Sequence, residues 1–447
     1  MADKAAREKN IGQRGLVLWF TGPSGSGKST IAVRVEAELV RMGFAAYLLD
    51  GDNLRHGLNS DLGFSKEDRD ENIRRIGEVA NHFCEAGLVV LVAAISPFEK
   101  ARQNAREKTG SENFFEIYVK ASEKTRRERD PKGLYEKGIV SDSLAPYEEP
   151  KNPEIVIDTD ELSIDESVAA VIRGVFERQL EYLLPKLLET AIFAAYDAGK
   201  EILEVYKRDF AVEYKQDSSP LTEADKKSNE LICRRLFGYA PYIGMLAEES
   251  ADDRARLSNS FCFIVDPLDG TKEFVKKNGE FTVNIALSHE NRPVMGVVYA
   301  PCQNKFWYAA LGYGAYALDL GRDIFRLFDQ NNRIRVSEKT DGLTVMKSRS
   351  HSDGKTEALL ERNRHKIKGI ADFGSALKGC MIAEGQAEVY YRFGLTSEWD
   401  TCAMQCVVEE AGGIFVQGDY SEMTYNRENV LNEKGFVILN RMENKLE

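Results

Sequence analysis

The segment GPSGSGKST, residues 22–30, constrains the fold more than any other part of the sequence. It matches G-x-x-x-x-G-K-[ST] and lies between the apolar run GLVLWFTG and the amphipathic run KSTIAVRVEAELVRMG. The glycines of such a loop let backbone N–H groups turn toward phosphate oxygens, while Lys28 reaches the outer phosphates and the Ser29 hydroxyl can ligate Mg²⁺. A chance match is the alternative, but the strand before and the helix after favour a nucleoside triphosphate site.

Short apolar runs alternate with amphipathic segments over the first 160 residues. This alternation predicts βαβ units, and therefore an α/β domain with a parallel sheet and helices on both faces. The predicted strands are GLVLWFTG, AAYLLDGD, LVVLVAAIS, FFEIYV and PEIVIDT.

A long amphipathic stretch interrupted by Pro185 follows, and we expect the domain boundary at residues 175–185, where one helix would end and another begin. The predicted organisation is a disordered lead-in over residues 1–14, a first domain over 15–178 and a second over 179–447. The second half has helices first and then strands of antiparallel character, which predicts an α+β layered fold.

The composition excludes several classes of protein. The N-terminus has no apolar signal core and no apolar run is long enough to span a bilayer, so we expect a cytoplasmic protein. The formal net charge of −12 argues against a nucleic-acid polymer or a membrane as partner, which leaves small molecules. The seven cysteines form no CxxC pair, so neither a zinc site nor a disulfide scaffold is indicated. A homo-oligomer is compatible with the sequence.

Charged residues after the second predicted strand indicate what receives the phosphate. Asp50 and Asp52 stand where a carboxylate can orient a hydroxyl nucleophile or hold Mg²⁺. Four arginines supply cations for an anionic acceptor, or alternatively form a solvated helix face. They are Arg55, Arg69, Arg74 and Arg75.

Residues 14–165 resemble the adenylylsulfate kinase family through LDGDNLRHGL, DLGFSKEDRDENIRRIGEVA, SPFEKARQNAR, RDPKGLY and PYEEP. The resemblance implies transfer of the ATP γ-phosphate to the 3′-hydroxyl of adenylyl sulfate, with Mg²⁺. Asp52 would then act at the acceptor hydroxyl with Asp50 close by, and Ser96 matches a serine that some members phosphorylate, although a structural role is the alternative. The implied ATP-binding residues are Gly22, Ser24, Gly25, Gly27, Lys28, Ser29 and Thr30. The implied acceptor-binding residues are Arg55, Phe64, Arg69, Asn72 and Lys132, with Phe64 stacking on the nucleotide and Lys132 on a mobile lid.

The sequence departs from this family after RDPKGLY. The segment EKGIVSDSLAPYE is shorter than usual and lacks the family's basic and aromatic residues. This departure implies either weaker adenine recognition or a different 5′-substituted nucleotide as acceptor, such as a cytidine diphosphate derivative. A non-catalytic nucleotide-sensing module that regulates the phosphatase is a separate alternative.

Four acidic segments of the second half form a candidate metal site. They are SPLTEAD ending at Asp225, LAEES with Glu248 and Glu249, DPLDGTKEF at 266–274, and SEWDTCAM with Asp400. Oxygen ligands without His or Cys suit Mg²⁺, and two such ions can activate water and neutralise a leaving oxygen in phosphoester hydrolysis. Any one segment alone also fits a turn or a helix cap.

From about Leu187 onward, the chain resembles the inositol-monophosphatase-like phosphatases, and most of all their 3′(2′),5′-bisphosphate nucleotidase branch. The resemblance rests on SPLTEAD, DPLDGTKEFVKKNGEFTVNIAL, GVVYAP, GSALKGCMIAEGQAEVYYRFG and EWDTCAMQCVVEEAGG. It implies removal of the 3′-phosphate from 3′-phosphoadenosine 5′-phosphate. The implied metal ligands are Glu248, Asp266, the Leu268 carbonyl, Asp269 and Asp400. Asp225 and Thr271 would orient the water, and the implied substrate-binding residues are Gly270, Thr271, Ser375, Lys378 and Arg392.

Overall fold

The computed structural model describes residues 2–129, 147–214, 220–252, 254–320, 326–349 and 354–447. The chain folds as two compact units, Met1–Leu183 and Leu184–Glu447. The predicted division after residue 178 lies slightly N-terminal of this one. Within the described residues, no helix has both the length and the apolar character that a membrane crossing requires.

The first unit contains a five-stranded parallel sheet in the order β2-β3-β1-β4-β5. All five predicted strands are present and parallel, as the alternating pattern indicates. The strands are β1 (Leu16–Thr21), β2 (Ala46–Asp50), β3 (Val89–Ala93), β4 (Phe114–Lys120) and β5 (Ile155–Asp158). The helices that begin in this unit are α1 (Lys4–Ile11), α2 (Lys28–Arg41), α3 (Gly51–Arg55), α4 (Lys66–Glu85), α5 (Glu99–Thr109), α6 (Glu123–Arg129) and α7 (Ile164–Tyr206).

Helix α1 corrects the predicted disordered lead-in. Asp3 caps it by accepting a hydrogen bond from Ala6 N at 2.8 Å, and Arg7 donates to the Glu85 carbonyl oxygen at 2.7 Å. None of its residues is buried. Because polar contacts rather than an apolar face hold this helix, its sequence lacks the periodicity that predicts one.

Helix α7 corrects the prediction that one helix ends and another begins near Pro185. It runs unbroken from Ile164 to Tyr206 with Pro185 inside it. Proline in a helix interior costs about 3 kcal/mol through its missing N–H and a steric clash. Leu183, Leu184, Leu187 and Leu188 on both sides of the proline are buried, and this burial offsets the cost.

The second unit is built on two large sheets. The first has seven strands in the order β14-β13-β12-β11-β10-β9-β8, antiparallel except for the β8–β9 pair, and the second has five strands in the order β16-β15-β17-β19-β18. The strands are β6 (Val212–Tyr214), β7 (Pro220–Thr222), β8 (Gly244–Ala247), β9 (Phe261–Asp269), β10 (Thr282–His289), β11 (Arg292–Ala300), β12 (Lys305–Ala310), β13 (Gly314–Asp319), β14 (Arg333–Ile334), β15 (Leu343–Ser348), β16 (Ile367–Phe373), β17 (Val389–Arg392), β18 (Ile414–Gln417) and β19 (Phe436–Leu439).

Two helices lie between the two sheets and produce the predicted α+β layers. The helices that begin in this unit are α8 (Glu223–Tyr239), α9 (Thr271–Val275), α10 (Gly354–Arg362), α11 (Leu377–Ala383) and α12 (Glu398–Glu410). Helix α12 packs on β10 and β11, α11 packs on β15, β17 and β19, and the two helices contact each other. Their shared core includes Trp307, Leu377 and Val407. Helix α8 packs on β9.

Candidate active sites

The glycine-rich loop joins β1 to α2 in the first unit. Gly22 has φ +151°, and a Cβ there would lie 2.1 Å from the Val119 carbonyl oxygen, so no other residue fits. Gly25 and Gly27 also have positive φ, at +80° and +101°. The loop therefore follows the backbone path that turns N–H groups inward ahead of a helix, which is how such loops bind phosphate.

Lys28 and Ser29 occupy the first turn of α2. The Lys28 ammonium is buried and donates to the Pro23 carbonyl oxygen at 2.8 Å, which places its charge within the loop. The Ser29 hydroxyl donates to Asp50 Oδ2 at 2.9 Å. Asp50 Oδ1 accepts from Asp52 N at 3.0 Å and so caps α3. A hydroxyl and a carboxylate side by side at the edge of a phosphate loop offer oxygen ligands of the kind that Mg²⁺ prefers.

Three of the residues predicted to bind the acceptor, Arg55, Phe64 and Arg69, lie together. The Phe64 ring is 71% exposed, and the Arg55 guanidinium lies 4.6 Å from its centroid. Arg69 Nε donates to the Phe64 carbonyl oxygen at 3.0 Å. Burial and then the neighbouring Arg69 lower the pKa of Arg55, while Asp52 and Asp68 oppose them. Two close cations beside an exposed aromatic ring suit an anionic nucleotide.

In the second unit, three carboxylates meet where β9 ends and α12 begins. Asp266, Asp269 and Asp400 each offer one oxygen, and these oxygens lie within 4.8 Å of one another. Glu248, just after β8, adds a fourth carboxylate, since it hydrogen-bonds Asp266. The set is all oxygen, as Mg²⁺ prefers.

The electrostatics of this cluster also fit a divalent cation. Burial and then the neighbouring Glu248, Asp269 and Asp400 carboxylates raise the pKa of Asp266. Burial and then Asp269 raise the pKa of Asp400 to about 8. Closely spaced buried carboxylates oppose one another's ionisation, and a bound cation relieves that repulsion.

Asp225 and Thr271 form a second group beside the metal site. The Thr271 hydroxyl lies 3.1 Å from Asp225 Oδ1 and 3.2 Å from the Leu268 carbonyl oxygen, so it can donate to either. Asp225 Oδ2 accepts from Thr222 N at 2.7 Å in a capping box at the start of α8. Burial is the main cause that raises the pKa of Asp225. A hydroxyl beside such a carboxylate is a suitable orienting pair for water.

An open cleft of about 260 Å³ joins these groups to two cations. Its lining includes Asp269, Thr271, Asp400, Lys378 and Arg392. The Lys378 ammonium donates to the Ser375 carbonyl oxygen at 2.6 Å, and burial lowers its pKa to about 8. Gly270, at φ +91°, lines the same cleft at the N-terminus of α9. The cleft therefore combines a candidate metal site with a cationic wall.

Comparisons with known proteins agree with this geometry. The adenylylsulphate kinase family model matches residues 14–158, and the inositol monophosphatase family model matches residues 184–445. A probable adenylyl-sulfate kinase of Halalkalibacterium halodurans is 50% identical over 40% of this chain and 88% of its own length. The adenylyl-sulfate kinase of Geotalea uraniireducens is 54% identical over 38% of this chain and 85% of its own. This chain belongs to both families. It is an enzyme with kinase and hydrolase activities.

A solved structure matches the phosphatase unit. CysQ from Bacteroides thetaiotaomicron, a bacterial member of the inositol monophosphatase family, is 38% identical and covers 57% of this chain and 97% of its own length, with a TM-score of 0.50. The predicted fold of the second half is therefore confirmed.

Two arginines that the sequence offered for the anionic acceptor make ion pairs on the surface of α4. Arg74 is paired with Glu71, and Arg75 with Asp61 and Glu71, so both belong to the solvated helix face that was the alternative. Lys132 lies outside the described residues.

Ser96, predicted among the catalytic residues, is 1% exposed. Its hydroxyl donates to Thr21 Oγ1 at 2.9 Å and accepts from Trp19 Nε1 at 3.1 Å. Because these contacts enclose the hydroxyl, we assign Ser96 a structural role rather than a role as a phosphorylated residue.

Sequence reasoning missed residues that hold the predicted ones in place. Asn59 is buried and donates to Asn72 Oδ1 at 2.9 Å, which fixes the predicted acceptor-binding amide. In the inositol monophosphatase-family unit, Thr282 and Asn284 lie opposite Asp269 and Asp266 in the β9–β10 pair. Two polar residues at i and i+2 at the start of this strand were the available signal, because alternate strand residues share a face.

Proposed function

We propose that the first unit phosphorylates the 3′-hydroxyl of adenylyl sulfate with ATP. The support is the placement of Arg55, Arg69 and the exposed Phe64 ring near Asp52, at the carboxyl end of β2. An adenine ring can stack on Phe64, and the arginines can bind the phosphosulfate anion.

In this reaction the 3′-oxygen of the acceptor forms a bond to the γ-phosphorus, and Asp52 accepts the proton that this hydroxyl loses. The bond from that phosphorus to the β–γ bridging oxygen breaks, and ADP leaves. Lys28 stabilises the charge on the transferred group, and Asp50 and Ser29 are placed to hold a Mg²⁺ ion. Mg²⁺ supplies charge neutralisation when bound.

We further propose that the second unit removes the 3′-phosphate from 3′-phosphoadenosine 5′-phosphate. The observation that carries this proposal is the pair of cations, Lys378 and Arg392, in the same cleft as Asp269 and Thr271. A substrate with one phosphate at the metal site and a second, non-reacting phosphate fits such a cleft. A monophosphate would occupy the metal site but would bring no second phosphate to these cations.

The hydrolytic step uses the pair formed by Asp225 and Thr271. Thr271 accepts a proton from the attacking water and passes its own to Asp225, while the water oxygen forms a bond to phosphorus and the bond to the 3′-oxygen breaks. Glu248, Asp266, Asp269, Asp400 and the Leu268 carbonyl would hold Mg²⁺, which when bound would lower the pKa of water and neutralise the charge on the leaving oxygen. Solvent then protonates that oxygen to give the free 3′-hydroxyl.

Substrate profiling of the purified full-length chain tests both activities. For the phosphatase we expect kcat/KM on 3′-phosphoadenosine 5′-phosphate to exceed that on adenosine 3′-phosphate by about 10-fold or more, because one charge-assisted contact is worth about 1.5–3 kcal/mol. The Lys378→Ala variant should lose most of this preference. Equal or faster turnover of an inositol monophosphate would overturn the assignment.

For the kinase, adenylyl sulfate is compared with a panel of 5′-diphosphate nucleotides that includes a cytidine diphosphate derivative. Absence of turnover with adenylyl sulfate would overturn the kinase assignment, and turnover with another member would replace the acceptor. Kinase activity of the wild type that disappears in Lys28→Ala would exclude a purely sensing module. We also propose a cytoplasmic location, because the seven thiols are free and five are buried, as is typical of a reducing compartment.

A further inference from the structure

One carboxylate oxygen of Asp269 accepts hydrogen bonds from three donors. Oδ2 accepts from Ser375 Oγ at 2.7 Å and from Ala376 N at 2.7 Å, just before α11. Asn284 Nδ2 on β10 donates to the same oxygen at 3.2 Å. Thr282 Oγ1 lies 2.7 Å from Ser375 Oγ.

Two hydroxyls lie beside this oxygen. Ser375 has one hydroxyl proton, and its 2.7 Å contact to Asp269 Oδ2 can use it. The Thr282 hydroxyl lies 2.7 Å from Ser375 Oγ, 2.9 Å from Asn284 Oδ1 and 3.3 Å from Asp269 Oδ2. Thr282 therefore contacts both side chains that donate to Asp269 Oδ2 as well as that oxygen itself, and hydrogen bonds connected in this way strengthen one another.

Asp266 and Asp400 each accept a hydrogen bond from a backbone N–H close to them in the sequence. Asp266 Oδ1 accepts from Leu268 N at 3.1 Å, and Asp400 Oδ2 accepts from Ser397 N at 2.6 Å, each within three residues along the chain. Asp269, in contrast, takes the Ser375 contact from 106 residues away. Its orientation therefore depends on the docking of the α11 segment against the end of β9.

An oxygen that accepts three donors has no lone pair left for a metal, since a carboxylate oxygen offers about two lone-pair sites. We propose that Thr282, Asn284 and Ser375 are positioning residues that occupy Asp269 Oδ2 and so direct Oδ1 to the metal. The Ser375 hydroxyl then serves the metal site, whereas the sequence predicted that it grips the nucleotide.

The proposal rests on the metal-dependent phosphatase function proposed above, but its test needs no substrate. Mg²⁺ is titrated calorimetrically into the full-length chain without nucleotide. Removing a side chain that hydrogen-bonds a metal ligand typically weakens metal affinity by about 10–100-fold. We therefore expect Ser375→Ala and Thr282→Val to bind Mg²⁺ about 10–100-fold more weakly, and Thr282→Ser, which keeps the donor, to retain the wild-type affinity.

Ser288→Ala is the matched control. Ser288 is buried on the same strand, but its hydroxyl donates to the Cys262 carbonyl oxygen at 3.2 Å and makes no contact with Asp269. Its Mg²⁺ affinity should stay at the wild-type value. Thermal unfolding of each metal-free variant shows whether the fold is retained, and if Thr282→Val does not fold, the half-buried Ser375→Ala decides.

Two outcomes would overturn the proposal. One is an unchanged Mg²⁺ affinity in a folded Ser375→Ala variant, whether or not its KM for nucleotide rises. The other is an equal loss of affinity in Ser288→Ala, which would indicate a general structural effect. Because the titration contains no nucleotide, a wrong substrate assignment leaves this result unaffected.

Discussion

The Ser29 hydroxyl donates a hydrogen bond to Asp50 Oδ2 at 2.9 Å, and this contact joins the first turn of α2 to the carboxyl end of β2. The other oxygen of Asp50 caps α3 through Asp52 N and Asn53 N at 3.0 and 3.3 Å. One carboxylate thus orients the candidate Mg²⁺ ligand of the phosphate loop and the helix that carries the candidate base, Asp52.

Asp50→Asn separates these two roles. Asparagine caps helices as well as aspartate does, so α3 should be retained, but the negative charge beside Ser29 is lost. We expect kinase kcat to fall about 10–100-fold, with part of the loss recovered at high Mg²⁺, and phosphatase activity to stay unchanged. Asp61→Asn, at a surface acid paired with Arg75, serves as the control. Full kinase activity in Asp50→Asn would contradict this role.

Phe64→Ala tests the acceptor platform. The ring is 71% exposed, so its removal should cost little stability, whereas loss of stacking under a base costs about 1–3 kcal/mol. We expect the KM for adenylyl sulfate to rise about 5–100-fold and the KM for ATP to stay constant, both measured by initial rates. Tyr47→Ala, at another exposed aromatic of the same unit, should change neither, and an equal rise in both KM values would refute a specific platform.

Much of the kinase unit follows from the sequence because its signals are local. The glycine-rich loop, Lys28 and Ser29 are contiguous, and their function depends on a backbone path that Gly22 and Gly27 make available. The parallel strands appear as apolar runs because both faces of the sheet are covered. These features need no knowledge of distant contacts.

The wrong predictions share a physical cause. Helix α1 is held by contacts such as that of Arg7 with the Glu85 carbonyl oxygen, and α7 passes through Pro185 because flanking leucines are buried. In both cases tertiary contacts outweigh local propensity. No pattern within a short window carries that information.

The candidate metal site shows a similar contrast. Asp266 and Asp400 stay predicted ligands, and the backbone N–H groups that orient them are at most three residues away. The partners of Asp269 come from β10 and from the start of α11, and only the folded chain brings Asn284 and Ser375 to one oxygen.

Thr271→Val tests the pair that orients the water. Valine keeps the shape of threonine but removes the hydroxyl that lies 3.1 Å from Asp225 Oδ1. Proton transfer by a positioned group contributes typically about 10²–10⁴-fold, so we expect kcat to fall by at least about 10²-fold in steady-state assays. Mg²⁺ affinity, measured by calorimetry, should change little. Thr271→Ser should retain most of the activity, and comparable loss in the Ser and Val variants would count against the hydroxyl.

Lys378 predicts a pH dependence of the phosphatase. Burial lowers the pKa of its ammonium from 10.5 to about 8, so the group is charged below about pH 8 and neutral above it. Because kcat/KM reports groups of the free enzyme, its value for 3′-phosphoadenosine 5′-phosphate should decline as the pH rises through about 8. The measurement is made at saturating Mg²⁺, so that metal binding does not contribute.

The Lys378→Arg variant shows whether the pH dependence comes from Lys378 or from another titrating group. A guanidinium stays protonated throughout the range, so the decline near pH 8 should move to higher pH or disappear, even if the larger side chain lowers the absolute rate. With adenosine 3′-phosphate, which lacks the second phosphate, the wild-type decline should be much weaker, because little binding depends on the ammonium. An identical decline in the wild type and in Lys378→Arg would assign the titration to another group and would remove Lys378 from the phosphate-binding wall of the cleft.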